Sequence, residues 1–356
     1  MTMASTVPFF FFLVIFIFCA FCNASTQFKF PALLAFGDST VDTGNNNFIK
    51  TLVKSNHYPY GREFPDQVST GRFSDGRLVP DLLDSALGIK EFLPAFLDPR
   101  LPDSELLTGV SFASAGSGYD DLTAAESEVI PVSKQPKYFK EYIKRLKTVV
   151  GEQESMKIVG EALVLISAGT NDFILNFYDL PTRKLQFNTT GYQDFLQQKL
   201  QALVKELYDL GCRKFLIGSL PPIGCIPLQI TSRFSTDPIA RRCVDDQNWD
   251  SRVYNSKLEK LSQELQSSLQ GSKVVMADIY EPLMDLVSNP RKYGFVETKR
   301  GCCGTGFLEM GPLCNALTQP CENASQYLFW DAVHPGEVAS AYITHYILKY
   351  ILPKLL

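Results

Sequence analysis

The run Ala32-Leu33-Leu34-Ala35-Phe36, followed at once by Gly37-Asp38-Ser39, decides the fold of this chain. Five apolar residues without polar alternation, closed by a turn signal, read as a short strand buried on both faces. The same signature returns three times. Ala162 to Ala168 runs into Gly169-Thr170-Asn171-Asp172, and Lys214 to Ser219 and Lys273 to Asp278 are similar runs. Strands of this kind suit a parallel sheet covered on both sides. Between them lie helical periods: Tyr192, Phe195, Leu196, Leu200, Leu203, Val204 and Leu207, stopped by Gly211, then Tyr254, Leu258, Leu261, Leu265 and Leu269, stopped by Gly271. Asp75–Leu87 and Tyr138–Val149 are further helical stretches, and Val338–Leu352 reads as a closing amphipathic helix, with Pro335 placed in its first turn. Alternating strands and helices predict an α/β fold with a doubly wound parallel sheet. Ligands in such folds sit beyond the carboxyl ends of the strands, so Gly37-Asp38-Ser39 and Gly169-Thr170-Asn171-Asp172 are expected to meet there.

Outward from that core, the composition is globular: 356 residues, 45% hydrophobic, with 34 Lys plus Arg against 38 Asp plus Glu and a net charge of -4. There is no long basic run, which argues against a nucleic-acid partner. Phe9–Cys22 is a fourteen-residue apolar segment followed by Asn23, Ala24 and Ser25, the length of a signal-peptide core and too short for a bilayer span. Cleavage after Ala24 is expected, leaving 25–356 as a single secreted, monomeric domain without a transmembrane span. The usual positive charge ahead of the apolar core is absent, since the first Lys or Arg is Lys29. Sequons at Asn188 and Asn323 agree with secretion, and the one at Asn23 straddles the cut. Seven cysteines remain: Cys212, Cys225, Cys243, Cys302, Cys303, Cys314 and Cys321. Several are expected to pair in an oxidising compartment, with Cys212 left over, and no C-x-x-C or nearby His pair suggests zinc.

No P-loop, H-E-x-x-H or G-x-S-x-G motif occurs, which leaves a serine constellation of another kind. Only three histidines are available as a general base. His57, among Tyr58, Pro59 and Tyr60, and His345, in the last helix, read as packing residues. His334 differs, because Asp331 lies three residues before it, within hydrogen-bond reach over one turn of chain. A triad needs a nucleophile, a base and an orienter, for which Ser39, His334 and Asp331 are the candidates; read singly, Ser39 is a turn or helix-cap residue after a strand, and Asp331 a helix cap with His334 exposed. Asn171 and Gly116 suit the oxyanion hole: the amide of one could face the site after a strand, and the bare backbone of the other allows close approach.

Four blocks now line up: Phe36-Gly-Asp-Ser-Thr-Val-Asp-Thr-Gly-Asn-Asn-Asn47, Gly109-Val-Ser-Phe-Ala-Ser-Ala-Gly-Ser-Gly118, Gly169-Thr-Asn-Asp172 and Asp331-Ala-Val-His334. Together they resemble the plant GDSL esterase/lipase family within the SGNH hydrolases, from about Pro31 to Leu352, and Leu220–Cys225 and Gly301–Gly306 are similar too. The resemblance implies a three-layer α/β/α, flavodoxin-like sandwich and a secreted esterase of lipid, polymer or small-molecule esters. By the same likeness Ser39, Asp331 and His334 would be catalytic, and Ser39, Gly116 and Asn171 would form the oxyanion hole. No metal or cofactor is implied, and Gly118 is the alternative donor in the second block. Two positions depart from the pattern: Thr40 stands where Leu is usual, and Ser111 where Asn is frequent. An acyltransferase would use the same residues, and a non-catalytic wall or lipid-binding protein is the remaining alternative.

Overall fold

The computed structural model describes residues 30–233 and 241–356, so the expected signal segment 1–24 lies outside the described residues. The four apolar runs are strands β1 (Leu33–Gly37), β2 (Leu163–Ser167), β3 (Lys214–Gly218) and β4 (Lys273–Ala277). They pair in parallel in that order. β1 is buried throughout, as are the first four residues of β2, which is why neither alternates. On the other side of β1, Ser111 bridges Ala35 in parallel, with Ala35 N donating to Val110 O and Phe112 N to Ala35 O. The chain therefore leaves β1 to one side and returns to β2 on the other. The order reverses at β1, which puts the switch point of a doubly wound sheet beside Gly37-Asp38-Ser39.

Among the described residues the α-helices are α1 (Val79–Leu87), α2 (Asp121–Ser127), α3 (Gln135–Val150), α4 (Glu152–Glu161), α5 (Thr189–Asp209), α6 (Pro227–Ser232), α7 (Asp245–Ser268), α8 (Tyr280–Ser288) and α9 (Glu337–Tyr346). α3, α5 and α7 pack side by side as one layer and α1, α9 and α8 as another, giving the three-layer α/β/α fold. A second, two-stranded parallel sheet joins β5 (Glu297–Gly301) to β6 (Tyr327–Phe329). Three disulfides lie outside the main sheet: Cys225–Cys243, Cys302–Cys321 and Cys303–Cys314. Cys212 is the buried free thiol, as expected.

Some boundaries differ from the sequence reading. α1 begins at Val79, not Asp75, because Pro80 occupies its first turn, the Asp81 carboxylate caps Leu78 N, and Asp75 is used elsewhere, accepting from Glu337 N. Pro335 precedes α9, whose N-cap is Gly336; it bridges to Phe329 instead. The last helix breaks into a π-turn at Ile347–Ile351. His345 is exposed, and so is not a packing residue. No helix among the described residues is long and apolar enough to cross a membrane.

Candidate active site

β1 ends at Gly37, whose φ of 139° and contact with β2 admit no side chain: a Cβ there would lie 1.8 Å from Ser167 O. The peptide of Gly37 is clamped on both sides by buried Gln135, which accepts from Gly37 N at 2.8 Å and donates to Gly37 O at 2.7 Å. Asp38 turns the chain by accepting from Thr40 N and Thr40 Oγ1. Burial pushes its carboxyl up to about 6, opposed by those two hydrogen bonds and by His334. Ser39, 6% exposed, is thereby held at the carboxyl edge of the sheet.

The rest of the first block welds the second to it. Asp42 accepts from Ala115 N, Asn45 donates to Ser111 O and Ala113 O, and Asn46 donates to Ala115 O. Ser111, the departure from the usual Asn, donates to Val41 O at 2.7 Å and accepts from Ala113 N, so the loop is tied without the amide. The third block closes the arrangement. Asp172 accepts from Tyr119 N, Asp120 N and Thr123 Oγ1, and burial raises its carboxyl to about 7. Its Oδ1 would lie 2.1 Å from a Cβ on residue 118, so Gly118 is a glycine for close approach. Asn171 donates to Ser117 O at 2.9 Å, leaving its second amide hydrogen for the cavity it lines. Neither Ser39 N–H nor Gly116 N–H donates to another described residue. Gly116 is half-buried, one residue from the carbonyl that Asn171 holds, and it does not line that cavity.

From the other side comes the fourth block. Asp331 is fully buried and folds its own segment by accepting from Val333 N at 2.8 Å and His334 N at 2.7 Å through Oδ1. The His334 ring meets the carboxylate through Nδ1, at 2.8 Å from Oδ2, and meets Ser39 Oγ through Nε2 at 2.8 Å. Phe73 lies against the imidazole, centroids 4.9 Å apart. Nε2 is thus placed to accept the Ser39 proton, while the carboxylate fixes the tautomer that leaves Nε2 free to do so. Beside Ser39 is a cavity of about 120 Å³ walled mostly by apolar side chains, among them Val41, Leu78, Ile226, Leu283, Ile343 and Ile347. Among the described residues no group of three or more His, Cys, Asp or Glu could hold a metal ion.

Two supports of the site escaped the sequence reading. Gln135 opens α3, 98 positions from Gly37, where no local pattern marks it. Tyr60 is noted in the sequence only as a neighbour of His57, yet its hydroxyl donates to Asp331 Oδ2 at 2.7 Å across 271 positions.

Residues 33–347 match the family model of GDSL-like lipase/acylhydrolase. Among curated sequences, the chain is similar to a GDSL esterase/lipase of Arabidopsis thaliana, 54% identical over 331 residues that cover 92% of each chain. A second from that plant is 53% identical over 327 residues, covering 91% of this chain and 90% of its own, and a third is 52% identical over 320 residues, covering 89% and 88%.

Proposed function

Because this chain belongs to the GDSL-like lipase/acylhydrolase family and is a hydrolase acting on carboxylic esters, we propose that it works as a secreted serine esterase through Ser39, His334 and Asp331. The observation that carries this reading is the continuous chain of hydrogen bonds from Ser39 Oγ to His334 Nε2 and from His334 Nδ1 to Asp331. As Ser39 Oγ attacks the acyl carbon, its proton passes to Nε2; the imidazolium then gives that proton to the departing alcohol oxygen. Water, deprotonated by the same nitrogen, attacks the acyl-enzyme; as the acyl–Oγ bond breaks, the imidazolium returns that proton to Ser39 Oγ and the acid is released. The negative charge that develops on the carbonyl oxygen is met by Ser39 N–H, Gly116 N–H and the Asn171 amide. Gly116 is taken as the second-block donor on the family likeness, with Gly118 as the alternative.

The apolar cavity beside Ser39 supports an ester with an aliphatic part, whose burial contributes roughly 0.8 kcal/mol per methylene. Passage through an oxidising compartment is supported by the three disulfides. Exposed Asn188 and Asn323 are the proposed glycan sites, their side-chain oxygens accepting from Gly191 N and Ser325 N. The decisive experiment is fluorophosphonate labelling beside an aliphatic ester panel on the wild type and Ser39→Ala. Labelling of Ser39 and turnover that vanishes with it are expected; full turnover by Ser39→Ala would overturn the assignment.

A further inference from the structure

We propose that Tyr60 is a positioning residue for the ester reaction, carrying the geometry of the Cys303–Cys314 loop to Asp331 through its hydroxyl. The proposal rests on the triad reading above. Asp331 Oδ1 is fixed by the N–H groups of its own segment, Val333 and His334. Besides the imidazole, Oδ2 has one partner among the described residues, the Tyr60 hydroxyl at 2.7 Å. A hydroxyl has a single proton to give. Gly311 N donates to the same oxygen at 2.7 Å, so that proton is left to point at the carboxylate. Burial first, and the nearby Asp331 charge second, hold the phenol well above its ordinary pKa, so it stays a donor at any working pH.

What holds Tyr60 is itself held. Its ring is 1% exposed and lies edge-on to Phe73 and Trp330, in a small apolar cluster that includes Cys302, Cys303 and Cys314. Gly311 sits inside the loop closed by Cys303–Cys314, and Cys314 N donates back to Gly311 O at 3.0 Å. The same loop grips the segment around Asp331 twice more: Cys303 N donates to Trp330 O, and Ala332 N donates to Glu309 O, each at 2.8 Å. Two of these grips hold the backbone on either side of Asp331. The third, through Gly311 and Tyr60, is the one that reaches the carboxylate itself.

Tyr60→Phe keeps the ring and removes only the hydroxyl. Its kcat should fall about tenfold or more, the size of one lost hydrogen bond to a charged group, while KM stays within twofold. Without that donor the carboxylate holds more charge toward the imidazole, so the acid limb of kcat/KM should move to higher pH. Of the titratable groups set against the imidazole, Asp331 loses only this one hydrogen bond and Asp38 loses none. Active-site titration with a fluorophosphonate corrects for any loss of folded protein. A kcat within twofold of the wild type, or an unmoved acid limb, would overturn the proposal and make Tyr60 a packing residue. A second arm needs no Tyr60 variant for its baseline: Cys303→Ser with Cys314→Ser should lower kcat in the wild-type background and much less in the Tyr60→Phe background. Equal losses in both backgrounds would show that the loop acts by another route. Ser39→Ala, run alongside, separates failure of this inference from failure of the esterase reading, because only the latter lets that variant keep turnover.

Discussion

Ser39 follows a strand whose five residues are all buried, in a parallel sheet continuous with the main apolar core, and no disulfide touches that strand. Asp331 and His334 follow β6, a three-residue strand of a two-stranded sheet, among two disulfides and a mesh of single hydrogen bonds. One half of the site is placed by the collective burial of apolar surface, which is non-directional and tolerant of small changes. The other is placed by directional polar contacts and covalent loops, each of which acts alone. Damage to the first half should therefore cost the whole fold, and damage to the second should cost catalysis first.

The sharpest break of that contrast comes at the reacting atoms. Ser39→Ala and His334→Ala, one from each half, should each lower ester turnover by roughly 10^4 or more, and the double variant should be little worse than either. Asp331→Asn should fall in the same range, because the amide can hold the wrong imidazole tautomer. Steady-state kinetics and a thermal melt on each variant check this; multiplicative losses in the double variant would mean that Ser39 and His334 do not act as a unit.

Next in size is Asn171, the proposed oxyanion donor, which stands on the sheet side and whose amide is held by a single bond to Ser117 O. Asn171→Ala should cost about 10^2 to 10^3 in kcat with little change in KM, since the donor gains strength only as charge forms on the oxygen. Its bond to Ser117 O predicts an accompanying stability loss of about 1 kcal/mol. If only the melting temperature moved, Asn171 would be a turn residue.

How much of this was readable follows the same division. β1 to β3 were legible because burial on both faces leaves apolar runs without alternation, and the edge strand β4 because its run is apolar although Val275 and Met276 are only half-buried; Asp331 and His334 were legible because three residues of spacing is a local property. Tyr60 and Gln135 were not, since a single hydrogen bond to a partner 271 or 98 positions away leaves no period or motif in either segment. The pairing of Ser111 with Ala35 was missed for a related reason: one bridge is too short to impose a strand pattern. Block by block, the carboxylates and amides that weld the loops together, Asp42, Asn45, Asn46 and Asp172, stood in the quoted motifs without their roles being visible.

Reduction separates the two halves in one sample. Each native bridge contributes about 2 to 5 kcal/mol, and two of the three flank the Asp331 segment. Graded reduction should abolish turnover while the amides of β1 and β2 remain protected from hydrogen exchange. Simultaneous loss of both would mean one cooperative unit and would erase the contrast.

A pH titration probes the buried carboxylate of the sheet side. Asp172 has its pKa raised by burial to about 7 from 3.8, so between those values the native state binds more protons than the unfolded chain. Its contribution to stability is therefore largest at the acid end of that window and falls as pH rises through it, by up to a few kcal/mol in all. Asp172→Asn should flatten the slope of unfolding free energy between pH 4 and 7, measured by urea titration. An unchanged slope would place the proton elsewhere.

The smallest effect belongs to Cys212, the thiol that the sheet side leaves unbridged between α5 and β3. It is fully buried, and burial raises its pKa well above the ordinary thiol range, so little thiolate exists to react. In the folded chain cut after Ala24, a thiol reagent should find nothing; in denaturant without reductant it should find one group, and with reductant the six bridged cysteines should join it. Cys212→Ala removes one small buried group and should cost only about 1 kcal/mol, with turnover unaltered, because the side chain packs in the main core and touches nothing in the site. Fast labelling of Cys212 under native conditions would mean that the entry to β3 opens on its own, and the sheet half would then be less cooperative than its burial implies.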